Sequence, residues 1–377
     1  MSETPSRRSF LKTASTTGVL LASTRKAQAK RKIYTRKSPS SVEMIEVGVI
    51  TCGEYSHADS AWGIPMNPPL GEELGIVWPR LTGMVMTMIW DPDPELAEAF
   101  AKKYDIKAVK NYYDMVDKVD AVMISDFYSA GWFPQLSKPY LEASMPVMID
   151  RPLALSLREA KEVLDRSKKY NAPLMVPSSD EMMHETVRLR YNLKKKLDEG
   201  AVITGAMALE TTNEYPAHAI HGIYKLHTVL QPKVVAVSLQ ADKWWEFKSA
   251  FFTMRCSHEN NRDYYAGMNL TSERDTFGWL VVSTNMGRVA DYDDVPGDVF
   301  SLYKNLFLPP CLEFARMIET GEMPQTHEYI LEKTITFLTG FYSHCEKNGL
   351  MVNCADLPGD WRAPEIRSDR ISDDIFK

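Results

Sequence analysis

The sequence is short of several things. Its five cysteines, Cys52, Cys256, Cys311, Cys345 and Cys354, form no CxxC pair, so neither a zinc ribbon nor a disulfide framework is spelled out, and mostly buried free thiols are expected. No internal repeat or low-complexity block occurs. The apolar stretch near the start, Thr13 to Thr24, is shorter than the roughly 20 residues a membrane anchor needs. Basic charge is also scarce. The whole chain carries a formal −6, and residues 1–29 hold five basic side chains against one acidic, so the remainder carries −10. An acidic surface argues against nucleic acid as a partner.

Those first residues have their own logic. Ser6-Arg7-Arg8-Ser9-Phe10-Leu11-Lys12 is a twin-arginine pattern, and Ala27-Gln28-Ala29 offers a small-x-small cleavage site after the apolar stretch. That order predicts an export signal over 1–29, hence a periplasmic or extracellular protein with no membrane anchor. The twin-arginine route carries folded proteins. Residues 30–43 read as a flexible basic linker.

From residue 44 the chain alternates apolar strands with helices. Met44–Ile50, Met84–Trp90, Ile106–Val109, Asp120–Ser125, Pro146–Ile149 and Ala172–Val176 have strand length. Near-continuous apolar runs such as "MVMTMIW" suit parallel strands covered on both faces. Helices are predicted at "ELAEAFAKKY", "YYDMVDKV", Lys138–Ser144 and Leu157–Tyr170, with Asp93 capping the first and Pro94 at its first position. Strand alternating with helix gives an α/β fold, a Rossmann-like doubly wound parallel sheet over 44–177. Ligands of such sheets lie outside the carboxyl ends of the strands. Here those ends are Thr51-Cys52-Gly53, Asp91, Ser125-Asp126, Asp150-Arg151 and Pro177-Ser178.

The layout resembles the glucose–fructose oxidoreductase, inositol dehydrogenase and MocA (Gfo/Idh/MocA) family of NAD(P)-dependent enzymes. The likeness spans essentially the whole chain after the expected signal, together with a "SHA" opening at Ser56-His57-Ala58. It implies a second domain over 178–355, α+β with an open, mostly antiparallel sheet, through which copies of the chain would associate. Residues 356–377 are left as a polar tail. The family's Glu-Lys-Pro between the domains falls on Asp150-Arg151-Pro152. Its three-glycine fingerprint falls on Thr51, Gly53 and Ser56, where only the middle glycine survives.

The resemblance implies a dinucleotide held by Cys52, Gly53, Ser56, Asp91, Asp126 and Asp150. Asp91, at the end of the second strand, would accept the ribose hydroxyls, which favours NAD over NADP because an aspartate repels the extra phosphate. Arg151 stays charged at neutral pH and can orient a hydroxyl but not shuttle its proton. The family's histidine falls on His221 and its aspartate on Tyr224. His221 has the ordinary pKa range of a general base, with Tyr224 as its candidate partner. Asp180, Glu181 and His218 are candidate contacts to a sugar or cyclitol substrate. His218, His221 and His227 lack the third-ligand spacing of a metal site, so no metal is expected. The reading is an oxidoreductase transferring hydride at a secondary alcohol of a sugar, cyclitol or glycoside, with tightly bound, recycled NAD. The broken glycine pattern and the missing lysine leave open an alternative: a carbohydrate-binding or scaffold protein that kept the fold and holds no cofactor.

Overall fold

The computed structural model describes residues 44–52, 57–60, 62–66, 81–125, 130–212, 214–258, 261–271, 278–292 and 303–364. The expected signal and linker, and the candidate residues Gly53, Ser56 and Asp126, lie outside the described residues.

Six strands build the first sheet: β1 (Ile45–Ile50), β2 (Met84–Trp90), β3 (Lys107–Ala108), β4 (Ala121–Ile124), β5 (Val147–Ile149) and β6 (Leu174–Met175). Their order is β3-β2-β1-β4-β5-β6, and every pairing is parallel. The order reverses direction between β1 and β4, which opens a crevice at their carboxyl ends. Among the described residues, a short helical turn at His57–Ser60 and three longer helices connect these strands: α1 (Pro94–Tyr104), α2 (Phe133–Glu142) and α3 (Leu157–Tyr170). Asp93 caps α1 by accepting from the backbone N–H groups of Glu95 and Leu96, as its sequence position predicts. The expected helix "YYDMVDKV" does not form. Residues 111–119 run through successive turns, with Asp114 accepting from the Asn111 backbone N–H. That local side-chain bond competes with helix formation.

The two faces of this sheet are packed differently. On one, Leu136, Tyr140 and Leu141 of α2 and Ala160, Val163 and Leu164 of α3 cover Ile50, Val122, Val147 and Ile149. On the other, Val47, Val49, Met84, Met86, Met123, Met148 and Met175 meet Trp62 and, from far along the chain, Cys311, Phe314 and Met317. Methionine suits this face, because flexible thioethers fill an irregular interface that branched residues would leave gapped.

Seven strands build the second sheet: β7 (Ile203–Thr211), β8 (Lys233–Ala241), β9 (Ser249–His258), β10 (Asn261–Thr271), β11 (Trp279–Thr284), β12 (Gly287–Tyr292) and β13 (Val352–Asn353). The order is β12-β11-β7-β10-β9-β8-β13, antiparallel except for β7 against β10. Four further helices are α4 (His184–Asp198), α5 (Ile220–Leu230), α6 (Leu308–Thr320) and α7 (His327–Lys347). The aromatic stretch from Trp244, unassigned in the sequence, leads into β9.

Part of the expected polar tail is described and packs back on the first sheet's side of the chain. Residues up to 364 are described, and they return to the exit of β5. The Arg158 backbone N–H donates to the Gly359 carbonyl and that of Ala363 to the Leu155 carbonyl, both near 2.9 and 2.8 Å, while Ser156 and Arg362 form an antiparallel bridge.

Candidate functional site

Asp150 and Arg151 follow the last residue of β5 at the carboxyl edge of the sheet. Both are buried, at 0% and 1% exposure, and the Arg151–Pro152 peptide is cis. A buried guanidinium must have every N–H face a partner. Nη1 donates to Asp150 Oδ1 at 3.1 Å, while Nε and Nη2 both donate to His221 Nε2, at 3.2 and 2.9 Å. The arginine fork thus joins the strand end to a histidine seventy residues away.

His221 stands in the first turn of α5, directly after a π-helical turn at Tyr215–Ala219. Gly222 lets the helix lie close to the second sheet. A Cβ there would sit 2.1 Å from Met268 Sδ and 2.5 Å from Glu210 Cγ. The other ring nitrogen, His221 Nδ1, lies 2.6 Å from Ser178 Oγ and 3.7 Å from Asp180 Oδ1, both on the turn that follows β6. Burial and the neighbouring Arg151 charge hold the His221 pKa well below the ordinary histidine range, so the ring is neutral. Arginine only donates, so Nε2 must carry the lone pair and Nδ1 the proton, which goes to Ser178.

A second histidine completes the cluster. His57 Nδ1 makes a short hydrogen bond to Asp150 Oδ2, and Arg151 Nη1 lies 3.2 Å from the same nitrogen. Asp150 is held below its usual range, with Arg151 and then His57 outweighing the cost of burial. Burial lowers His57 to about 4, against the opposing pull of Asp150. Trp62 and Phe307 wall the ring, with centroids 6.2 and 6.5 Å away. His57 was not among the candidates from the sequence, although "SHA" contained it. Its partner is 93 residues away, so no local spacing connects them.

The predicted residues divide accordingly. Arg151, His221, Asp150, Asp180 and His218 come together. His218, whose side chain is 40% exposed and bonded to Glu214, has its ring centroid 6.0 Å from that of His221. Glu181 does not join them. It is 3% exposed and accepts from Lys333 Nζ at 2.8 Å, Gln325 Nε2 at 2.6 Å and the Ser178 backbone N–H at 3.1 Å. A substrate contact is therefore corrected to a buried ion pair that ties α7 to the site's turn. Tyr224 is corrected likewise. It is fully buried, and its ring faces the Lys333 ammonium at 3.8 Å. Burial pushes its hydroxyl pKa far above the usual range, so it is no proton donor at neutral pH and does not pair with His221.

Asp91 ends β2 and is also buried. Its carboxylate accepts from the Thr51 hydroxyl at 2.7 Å and the Asp93 backbone N–H at 2.8 Å. The threonine in place of the first fingerprint glycine thus bonds to the strand-end acid. Cys52 is buried in the core beneath the edge.

A six-stranded parallel sheet in the order 3-2-1-4-5-6, joined to a mostly antiparallel sheet, is a Rossmann-type α/β fold with a second α+β part. The family model described as the Gfo/Idh/MocA oxidoreductase family, NAD-binding Rossmann fold, matches residues 70–178. Over those residues the chain resembles the Gfo/Idh/MocA family. No curated protein matches the sequence. Among solved structures, myo-inositol dehydrogenase from Lactobacillus casei, in complex with NAD(H) and myo-inositol, is similar with TM-score 0.66 and 16% identity, over 82% of this chain and 96% of that one. A probable dehydrogenase from Thermotoga maritima gives 0.65 and 14%, over 83% and 100%. An oxidoreductase from Agrobacterium radiobacter, in complex with NAD+, L-tartaric acid and magnesium, gives 0.59 and 13%, over 82% and 98%. At these identities the likeness is one of fold.

Proposed function

We propose that the protein is a nicotinamide-dependent oxidoreductase acting on a secondary alcohol of a cyclitol or sugar. One observation carries the reading: the Arg151 fork at the carboxyl end of β5 gathers Asp150, His57 and His221 beside the crevice of a 3-2-1-4-5-6 sheet. The inositol dehydrogenase structures of the same fold, which hold NAD(H) and a cyclitol, support it.

The described strand ends fit a dinucleotide. Asp91 stands as an acceptor at the end of β2, held there by Thr51 and the Asp93 backbone. Accepting ribose hydroxyls in exchange for the Thr51 bond favours NAD over NADP. When bound, the nicotinamide supplies the hydride acceptor for the alcohol carbon. The chain's own residues do the rest. Arg151 presents fixed positive charge that stabilises a hydroxyl as it becomes an alkoxide. Asp180 and His218 line the more accessible side of His221 and suit hydrogen bonds to further hydroxyls. Export with a bound, recycled NAD accords with the twin-arginine pattern, since that route carries folded proteins.

A second reading has its own observation. Every nitrogen of the Arg151 fork already has a partner within the chain, as expected of a purely structural network in a carbohydrate-binding or scaffold protein. Native mass spectrometry of protein exported through its own signal separates the two. About one NAD(H) per chain is expected. An empty chain that also fails to take up added NAD(H) or NADP(H) overturns the enzyme reading.

We further infer association of copies through the second sheet. Tyr265, Phe251 and Met207 are 56%, 38% and 38% exposed. A Cβ on Gly267 would lie 3.2 Å from Phe251 Cζ and 3.4 Å from Met207 Cε, so these side chains gather on one face around the glycine. Tyr265, two residues along β10, shares that face. Apolar patches of this kind mark interaction surfaces.

A further inference from the structure

We propose that the groove between α4 and β12 binds a small negatively charged sugar, carrying a phosphate ester or a carboxylate, through Lys195, Lys196 and Arg288. The groove lies at the carboxyl end of α4. The Arg151 site adjoins the turn before the amino end of that helix, so the two sites are tested separately.

The groove encloses about 420 Å³. That is within the range of small-molecule sites and more than a lone phosphate would fill. Asn192, Lys195 and Lys196 line it from the last turns of α4, and Arg288 lines it from the edge strand β12. Asn192, Lys195 and Arg288 are exposed. Lys196 Nζ donates to the Met286 carbonyl at 3.3 Å, which fixes it at the turn between β11 and β12.

The charges in this groove are unbalanced. The chain as a whole is acidic, at a formal −6, and neighbouring cations on the same helix are neutralised. Arg188 donates through Nε and Nη2 to the two oxygens of Asp291, each at 2.7 Å, and Lys194 pairs with Asp198 at 2.6 Å. Among the described residues, no carboxylate lies within ion-pairing distance of Lys195, Lys196 or Arg288, and Glu199 on the rim pairs with none of them. Lysines in a last turn complement the carbonyl end of a helix. That accounts for Lys195 and Lys196. It does not account for Arg288, which arrives from another element and brings a further like charge into the same hollow. A bound anion relieves their mutual repulsion.

The lining also narrows the ligand. A guanidinium grips a phosphate or carboxylate with two parallel bonds, and lysines add point charge. The Asn192 amide offers a donor and an acceptor, which suits a hydroxyl group. Val289 and Ala290 supply an apolar wall for the C–H face of a sugar ring. Glu199 on the rim, with Asp198 and Asp291 next to lining residues in the chain, disfavours a long polyanion and leaves a place for a small one.

The test is isothermal titration calorimetry of the full chain with glucose 6-phosphate, glucuronate, glucose and inorganic phosphate. One site per chain is expected for a charged sugar, weaker at high sodium chloride because the groove is open to screening. Glucose and inorganic phosphate are each expected to bind at least about tenfold more weakly. Preference for glucose 6-phosphate assigns the phosphate ester, and preference for glucuronate the carboxylate. Arg288→Gln is expected to lower affinity by about 10–100-fold, Lys195→Gln by less, and Glu199→Gln to raise it. All three positions are exposed, so each variant is expected to keep the wild-type thermal midpoint. Glu199→Gln removes no cation, so its tightening remains a readout if Arg288→Gln disturbs β12. The proposal is overturned if neither charged sugar binds, if inorganic phosphate binds equally well, or if affinity is the same in the wild type and all three variants.

Discussion

At the scale of the residue, the candidate site around Arg151 is built from groups whose charge is dictated by where they lie. His57 shows the consequence for stability. Its value is 6.5 when unfolded and about 4 in the fold, lowered by burial. Below pH 6.5 the unfolded chain binds a proton that the folded chain refuses, so stability is whole above that pH and falls as the pH drops toward 4. For His57 alone the loss is about 3 kcal/mol. His227, lowered to about 3 by burial and then Lys333, adds to the same slope. Urea midpoints measured from pH 7 to pH 4 should fall steadily; a midpoint insensitive to pH would show that these rings are not buried and neutral. Glu181→Gln tests the other buried charge. It leaves Lys333 without a counter-ion and is expected to cost about 3–5 kcal/mol. A variant of unchanged thermal stability but raised KM would return Glu181 to the substrate.

At the scale of the element, α5 and the turn after β6 are the movable parts of the argument, because they carry His221 and Ser178. Gly222 sets how closely α5 approaches β7 and β10. Gly222→Val is expected to cost about 1–3 kcal/mol through overpacking against Met268 and Glu210 and to displace His221. Calorimetry reads the first effect. The His221 ring shifts in the 15N spectrum of histidine-labelled protein read the second, and unchanged shifts would show that the helix position does not depend on the glycine.

The elements were also what the sequence displayed best. α3 spans the residues 157–170 that its apolar spacing suggests, and β2 coincides with "MVMTMIW". β9 and β10 were missed, since their alternation is interrupted by aromatics and by Gly267 and Met268 on a sheet that is only half buried. The site was legible where a strand end carries its own polar residue, as at Asp150 and Arg151. It was illegible where function depends on a partner distant in sequence. Glu181 and Asp180 are adjacent and chemically alike. Only the arrival of Lys333 and Gln325 from the far end of the chain makes one a buried counter-ion and leaves the other near His221.

At the scale of the whole molecule, the exposed face of the second sheet predicts self-association. Tyr265→Glu should place a charge in the centre of that patch. Sedimentation velocity on the wild type and the variant checks it, with a shift to smaller species expected. Identical profiles would remove this face as the contact.

Residues 359–363 bond to residues 155–158, just beyond the cis Arg151–Pro152 peptide. Lys333 and Gln325 meanwhile brace the turn that holds His221. A ribosome has therefore made nearly all of the chain before the middle of it can be finished. The amino-terminal half cannot be cut out as a working cofactor module, and a fragment ending before residue 325 would present the Arg151 fork to water with its supports missing.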